Sequence, residues 1–232
     1  SRAGRVIAVE YDKALTRIVT RRLGEKENLH IINRDVLANK NTFDPEVISV
    51  LQANLGQTAG DFKLVANLPY NVATPIMMNL LNSGPQPQMM CVTVQKEVAE
   101  RMIAPAGTKE YGVLSIFLAA TGSTEMVKDL RPEVFWPEPN VHSAIVLYRY
   151  QPQKAGEIHD MKLLRRIVNL FMQHRRKTVR ACAKLARKEL AQINDWSGVF
   201  DSAGIDSQKR PAKLDPADYV RLANICDEIL RK

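Results

Sequence analysis

The stretch that decides the fold is "KLVANLPYNVATPI", residues 63–76, which runs from an apolar strand-like segment through Asn-Leu-Pro-Tyr into a helix start. Leu68 precedes a proline and is pushed to extended backbone angles, and Pro69 fixes the next φ, so the turn is stiff. Prolines rarely sit inside strands, and an aromatic directly after one is unusual in a bland loop. Thr74 reads as an N-cap, Pro75 as the first helical position and Gly84 as the residue past the helix end. Strand, stiff turn and helix in succession are the repeating unit of an α/β sheet.

The flanking sequence repeats that unit. "GRVIAVE" (4–10), "LHIINRD" (29–35) and "MMCVTVQ" (89–95) read as further strands, and "FKLVANL" (62–68) is the strand of the opening stretch. A helix is predicted from Asp12 to Arg22, and "KEVAERMIA" and "GVLSIFLAAT" (112–121) read as helices. Strands near 123–130 and over "SAIVLYRYQ" (143–151) complete this part. The fold class is therefore α/β, a layered sheet with its ligand site at the carboxyl ends of the strands. "YQPQKAGEIHD" (150–160) reads as a linker, and strand signals vanish beyond it. "MKLLRRIVNLFM" (161–172), "RRKTVRACAKLARKELAQI" (175–193) and the Asp215-capped "DPADYVRLANICDEILRK" (215–232) each read as one helix. Two domains are expected, 1–152 carrying the sheet and 158–232 all-helical.

The chain has 232 residues, 45% hydrophobic and 25% charged, enough for a sizeable core. No apolar run approaches the ~20 residues of a membrane span, and "SRAGRVIAVE" lacks signal-peptide architecture, so a cytoplasmic protein, expected to be a monomer, is the reading. Cys91, Cys182 and Cys226 are far apart, and His30, His142, His159 and His174 do not cluster, so neither a metal site nor a disulfide framework is expected. The net charge of +8 is uneven: residues 1–152 hold 16 Lys/Arg against 15 Asp/Glu, and residues 153–232 hold 17 against 10. Lys162 to Lys188 carries ten basic residues and no acidic one. A solvated helix face usually mixes signs, so this run points to a polyanionic partner.

Three polar residues end three of the predicted strands: Glu10, Asp35 and Asn67. A carboxylate so placed suits the two hydroxyls of a ribose. At the third, the Asn67 side-chain oxygen and the Leu68 carbonyl offer two acceptors to one exocyclic amino group, and Tyr70 offers a flat face on which a base stacks for about 1–3 kcal/mol. Such a site holds an adenine by its amino group. The N6 lone pair is conjugated into the ring. Drawing both protons into acceptors favours the pyramidal, nucleophilic nitrogen, and positioning supplies much of the rest.

At these residues the chain resembles the ribosomal RNA adenine dimethylases of the KsgA type, relatives of the Erm methylases, from Gly4 to the C-terminus. "VIAVEYD" resembles the ribose-binding strand, which implies Glu10 on the hydroxyls of S-adenosylmethionine, and "NRDVL" implies Asp35 at that cofactor's adenine amino group. "NLPYNVATPI" is similar to the catalytic motif, implying Asn67, Leu68, Pro69 and Tyr70 at the reacting base, with Asn67 also beside the cofactor. "VQKEVAERMIAPAGTKEYGVLSI" (94–116) is similar to a further family segment, and "FWPEPNVHSAIV" (135–146) implies Phe135 across the base from Tyr70. "FMQHRRKTVR" (171–180) and "KRPAKL" (209–214) resemble the C-terminal domain that contacts ribosomal RNA, implying Arg175, Arg176, Lys177 and Arg180 as RNA contacts. The family fold is a Rossmann-like methyltransferase sheet followed by a helical domain.

The implied activity is N6-dimethylation of two adjacent adenosines in the 3′-terminal hairpin of small-subunit (16S) ribosomal RNA. Its setting is ribosome biogenesis, with the immature small subunit as partner. The resemblance leans bacterial. A competing reading is a non-catalytic ribosome-assembly or transcription factor on the same fold, against which the intact tetrapeptide weighs. A DNA adenine methylase is a third, disfavoured by the long basic helical tail. Three departures stand out. The family's glycine-rich cofactor loop precedes the strand matching "GRVIAVE", so the expectation is a parent chain longer by about 40–60 residues, one strand–loop–helix unit and a leading segment, and weak cofactor binding without them. The segment from Asp35 to Asn67 reads as longer than usual, with an insertion over 38–61. Asn140 and His142 stand where the family commonly has Lys and Asp.

Overall fold

The computed structural model describes residues 3–55, 61–82 and 84–231. It divides into two compact units, Ser1–Lys63 with Asn71–Pro87, and Leu64–Tyr70 with Gln88–Lys232.

In the first unit, β1 (Val6–Glu10), α1 (Lys13–Leu23) and β2 (Leu29–Asn33) form a strand–helix–strand motif whose strands pair in parallel, Glu10 opposite Asn33. Asp12 starts α1 by accepting from the backbone N–H groups of Ala14 (2.6 Å) and Leu15 (3.0 Å). Gly24, at φ 67, ends it with its N–H on the Thr20 carbonyl. The segment read as an insertion carries structure the sequence did not announce: the hairpin β3 (Leu37–Asn39) and β4 (Thr42–Phe43), then α2 (Pro45–Leu55). Asp44 caps α2 through the N–H groups of Glu46 and Val47. Residues 56–60 of that insertion lie outside the described residues. Helix α3 (Ala73–Asn82) begins before the expected Thr74 cap: the Ile76 N–H already bonds the Val72 carbonyl, so Pro75 is its third residue. Its missing N–H is still one of the first-turn donors that lack an intrahelical partner, so proline is tolerated there.

In the second unit, a sheet ordered β5-β6-β8-β7 is built from β5 (Lys63–Asn67, whose first residue clusters with the other unit), β6 (Met89–Gln95), β7 (Gly122–Leu130) and β8 (Ser143–Tyr150). β8 runs antiparallel to both β6 and β7. The alternation of strands and helices predicts an α/β layer but not which strands share a ladder, and β1–β2 forms a ladder of its own. Buried Met90, Val92 and Val94 of β6 and Ala144, Val146 and Tyr148 of β8 form the centre of the sheet's core. Gly122 is required by close approach, since a side chain there would meet the Arg149 carbonyl and the Tyr148 ring. α4 (Lys96–Ile103) and α5 (Val113–Thr121) follow, α5 with Leu114, Ile116, Phe117 and Leu118 all buried.

The C-terminal region is helical: α6 (Pro152–Gly156), α7 (Met161–Gln173), α8 (Val179–Ala183), α9 (Trp196–Ser202) and α10 (Pro216–Leu230). α6 lies inside the segment read as a linker, with Pro152 at its first position. The single helix expected over 175–193 is instead α8 and a 3-10 turn at Lys188–Gln192. The later start has a local cause: the Thr178 hydroxyl accepts from the Ala181 N–H and caps α8. Phe171 packs edge-on against Trp196 (centroids 6.0 Å apart), Phe200 (6.3 Å) and Tyr219 (6.5 Å), making one aromatic core. These helices share their unit with the four-stranded sheet. The buried Tyr111 hydroxyl, at the start of α5, donates to the Leu214 carbonyl at 2.8 Å, and the Gly107 N–H bonds the Ala212 carbonyl at 2.6 Å.

Candidate active site

Two parallel strands bring Glu10 and Asp35 to the same end of the β1–β2 ladder. Glu10 is the last residue of β1, half-buried, and one carboxylate oxygen accepts from the Asp12 N–H at 2.9 Å. Asp35 lies two residues past β2, exposed, with one oxygen on the Leu37 N–H at 2.9 Å. Each carboxylate keeps its second oxygen for a hydroxyl or amino hydrogen. Asn33, which no sequence signal marked, ties this end together: its amide donates to the Glu10 carbonyl (2.8 Å), the Tyr11 carbonyl (3.1 Å) and the Thr16 hydroxyl (3.0 Å).

The tetrapeptide sits in the second unit. Asn67 closes β5 and is exposed, and among the described residues its side chain makes no hydrogen bond within the chain. Leu68 is buried, with its N–H on the Thr93 carbonyl of β6 at 3.1 Å, and its own carbonyl has no partner among the described residues. Pro69 is exposed. Two acceptors therefore stand uncommitted side by side at the end of a strand anchored to its neighbour. Tyr70 is half-buried, and its hydroxyl shares a 2.8 Å hydrogen bond with the Ser143 hydroxyl. Ser143, fully buried, starts β8 opposite Gln95 of β6 and Leu130 of β7. Sequence reasoning passed over Ser143, because a serine at a strand start carries no distinguishing signal.

Phe135 follows a single 3-10 turn at Pro132–Val134 and is half-buried, and the Trp136–Pro137 peptide bond is cis. Among the described residues the aromatic pairs all lie in the C-terminal helices, so Tyr70 and Phe135 do not stack on each other. One strand-end over from Ser143, Lys96 forms an ion pair with Asp129, and His142 Nδ1 lies 3.5 Å from the other Asp129 oxygen. The Lys96 hydrogen bond holds the Asp129 carboxyl below the usual carboxylate range and raises the Lys96 amine in turn. The Lys96 N–H also bonds the His142 carbonyl at 2.9 Å. His142 thus has an acidic partner.

The basic run separates by role. Arg175 is half-buried and its guanidinium donates to the carbonyls of Thr108 and Lys109, both at 3.2 Å. Arg176, Lys177 and Arg180 are exposed and form no ion pair among the described residues. No three His, Cys, Asp or Glu side chains among the described residues gather closely enough to hold a metal. No described helix is long and apolar enough to cross a membrane.

The family described as ribosomal RNA adenine dimethylase matches residues 1–228. The chain belongs to the ribosomal RNA adenine dimethylase family. One curated relative, the ribosomal RNA small subunit methyltransferase A of Clostridium perfringens, is 33% identical over 234 residues, covering 99% of this chain and 75% of that protein. Two solved structures of lower identity carry the same fold. A dimethyladenosine transferase from Plasmodium falciparum superimposes with a TM-score of 0.71 at 20% identity, over 94% of this chain and 80% of that one. The 23S rRNA methyltransferase ErmE does so with a TM-score of 0.60 at 19% identity, over 97% and 83%. The dimethylase fold accounts for the α/β part with appended helices, and membership places the family's adenine-methylating chemistry on this chain.

Proposed function

We propose that this adenine dimethylase methylates N6 of two adjacent adenosines in the 3′-terminal hairpin of small-subunit (16S) ribosomal RNA, acting on immature subunits in the cytoplasm as a monomer. In this reading residues 1–152 carry the catalytic machinery and residues 158–232 bind RNA. The observation that carries it is the pair of uncommitted acceptors, the Asn67 amide oxygen and the Leu68 carbonyl, beside a tyrosine ring held at its hydroxyl.

The residues at the β1–β2 strand ends suit S-adenosylmethionine. Glu10 and Asp35 are carboxylates with free lone pairs, chemically matched to ribose hydroxyls and to the adenine amino group. When bound, that cofactor supplies an electrophilic methyl group. The remaining work falls to this chain. The base must first leave its stack, which a hairpin loop makes cheap. Tyr70 takes one face of the flipped base, and Phe135 is assigned the other. Asn67 and Leu68 accept hydrogen bonds from N6–H, two in the first transfer and one in the second, and leave the lone pair directed away from the ring plane. Holding the amine in that geometry converts a poor nucleophile into a positioned one. Arg176, Lys177 and Arg180 hold phosphates, and Arg175 braces the Thr108–Lys109 backbone.

Tritiated S-adenosylmethionine with unmethylated small subunits, followed by mapping of the labelled base, tests this. Label at N6 of two neighbouring adenosines near the 3′ end is expected. Label at another base, or in DNA alone, would overturn the assignment.

A further inference from the structure

A groove of about 550 Å³ opens between α7 and the segment leading into the 3-10 turn at Lys188. It is remote in sequence from the tetrapeptide, and its lining reaches His174, next to the Arg175–Lys177 run, without including those three residues. Leu170, Leu185 and Leu190 line its apolar surface, with Leu185 37% exposed. Asn169 and Gln173, four residues apart on α7 and so on one face of it, present two side-chain amides. Arg187 and Lys188 present two cations. Among the described residues none of these four polar side chains has a hydrogen-bond or ion-pair partner in the chain. The groove's other arginine, Arg166, is committed to Glu189.

Apolar walls with a few convergent, unpaired polar groups are the ordinary make-up of a ligand site, and the volume falls within the usual range for one. The backbone adds an independent sign. Lys188 is at φ 57, the one non-glycine residue in the left-handed region among those described. Strain of that kind gathers at ligand clamps. The charge around the groove is positive, in a stretch from Lys162 to Lys188 that holds no acidic residue. Planar amides beside a leucine surface match the edge and face of a nucleobase, and the two cations match its flanking phosphates.

We infer that this groove captures one unpaired nucleotide of the substrate RNA next to the methylated hairpin. The base would lie on Leu170, Leu185 and Leu190 with its edge at Asn169 and Gln173, and its phosphates at Arg187 and Lys188. The inference rests on the RNA substrate proposed above and gives the helical region a second contact that distinguishes single-stranded from fully paired RNA.

Fluorescence anisotropy of the full chain with a labelled blunt hairpin RNA, and with the same hairpin bearing a short unpaired extension, tests it. The wild-type chain should favour the extended RNA by about tenfold, the scale of one good amide contact to a base edge. Arg187→Ala with Lys188→Gly should abolish that preference and lower the salt slope for the extended RNA by about 1.4–1.8, at 0.7–0.9 per lost phosphate contact. Glycine is at ease at φ 57, so thermal stability should hold or rise while binding falls, which separates lost contact from lost fold. Asn169→Ala with Gln173→Ala should remove the preference and leave the slope unchanged. Photo-cross-links from 4-thiouridine in the extension should map to residues 166–190. Equal binding of the two RNAs by the wild-type chain, a preference that survives both double substitutions, or cross-links elsewhere would overturn the inference. So would a cross-link of the groove to a ribosomal protein in assembled subunits, which would assign it to a protein partner. Failure of the catalytic reading looks different: Asn67→Ala would turn over normally with the extension preference intact.

Discussion

The Tyr70 hydroxyl and the Ser143 hydroxyl share a hydrogen bond of 2.8 Å, and Ser143 has no solvent exposure. Because Ser143 is laddered to both β6 and β7, the far end of the tyrosine ring is referenced to three strands at once. The sequence puts the weight on the ring's face; on the proposed role of Tyr70, the bond to Ser143 would hold that face in its aim. Tyr70→Phe and Ser143→Ala should therefore each lower turnover by about two- to tenfold, the worth of one neutral hydrogen bond. The double variant should be little worse than either single one, since both remove the same bond. Fully additive losses in that cycle would mean the hydroxyl acts elsewhere. Tyr70→Ala, which removes the ring, should lose orders of magnitude.

Asn67→Ala removes one of the two uncommitted acceptors and leaves the strand end anchored, because the Leu68 N–H still holds the Thr93 carbonyl. Methyl transfer should fall by about a hundredfold or more, the scale of losing an acceptor needed to orient the reacting group. RNA binding, measured by anisotropy, should stay within a few-fold. Near-normal turnover would remove Asn67 from the mechanism.

Much of this was legible because the strand-ending residues carry local signals. Glu10 and Asn67 end their strands where the apolar runs stop, and Asp12 and Asp215 sit at helix starts as capping chemistry requires. What sequence could not give depends on distant partners. Ser143 and Tyr70 are 73 residues apart, and Arg175 meets Thr108 across 67. The segment whose resemblance implied Arg175, Arg176, Lys177 and Arg180 as RNA contacts contains one arginine already engaged by two carbonyls. The shortened helix within 175–193 was hidden because its residues are good helix formers; the Thr178 hydroxyl, turned onto the Ala181 N–H, sets where α8 begins, and the helix ends at Ala183.

Arg175 and its neighbours should accordingly respond differently to substitution. Arg176→Ala with Lys177→Ala should lower the salt slope of RNA binding by about 1.4–1.8 and leave the melting temperature unchanged. Arg175→Ala should change the slope little, because its guanidinium already serves the Thr108 and Lys109 carbonyls. It should instead destabilise the chain by about 1–3 kcal/mol, the cost of leaving those acceptors without a charged donor. A slope change in Arg175→Ala as large as that of Arg176→Ala would show that RNA competes for the guanidinium.

The protein should lose stability on the alkaline side in two stages. Burial pushes the Cys226 thiol up to about 12 and raises Cys182, and it also pushes Tyr148 up to about 12 and raises Tyr111 and Tyr219. Each of these groups is neutral when protonated, so the folded state keeps protons that the unfolded chain releases at ordinary values, near 8.5 for cysteine and 10 for tyrosine. Their contribution is complete below about pH 8.5 and is lost as pH climbs through the folded values, at about 1.4 kcal/mol per pH unit per group. Urea unfolding should show a slope set by the thiols between about pH 9 and 10 and a steeper one above, where the tyrosines join. Cys226→Ala should take one proton's worth from the first slope and leave the second increment in place. A first slope untouched by that substitution would show that the Cys226 thiol ionises in the folded chain as freely as in the unfolded one.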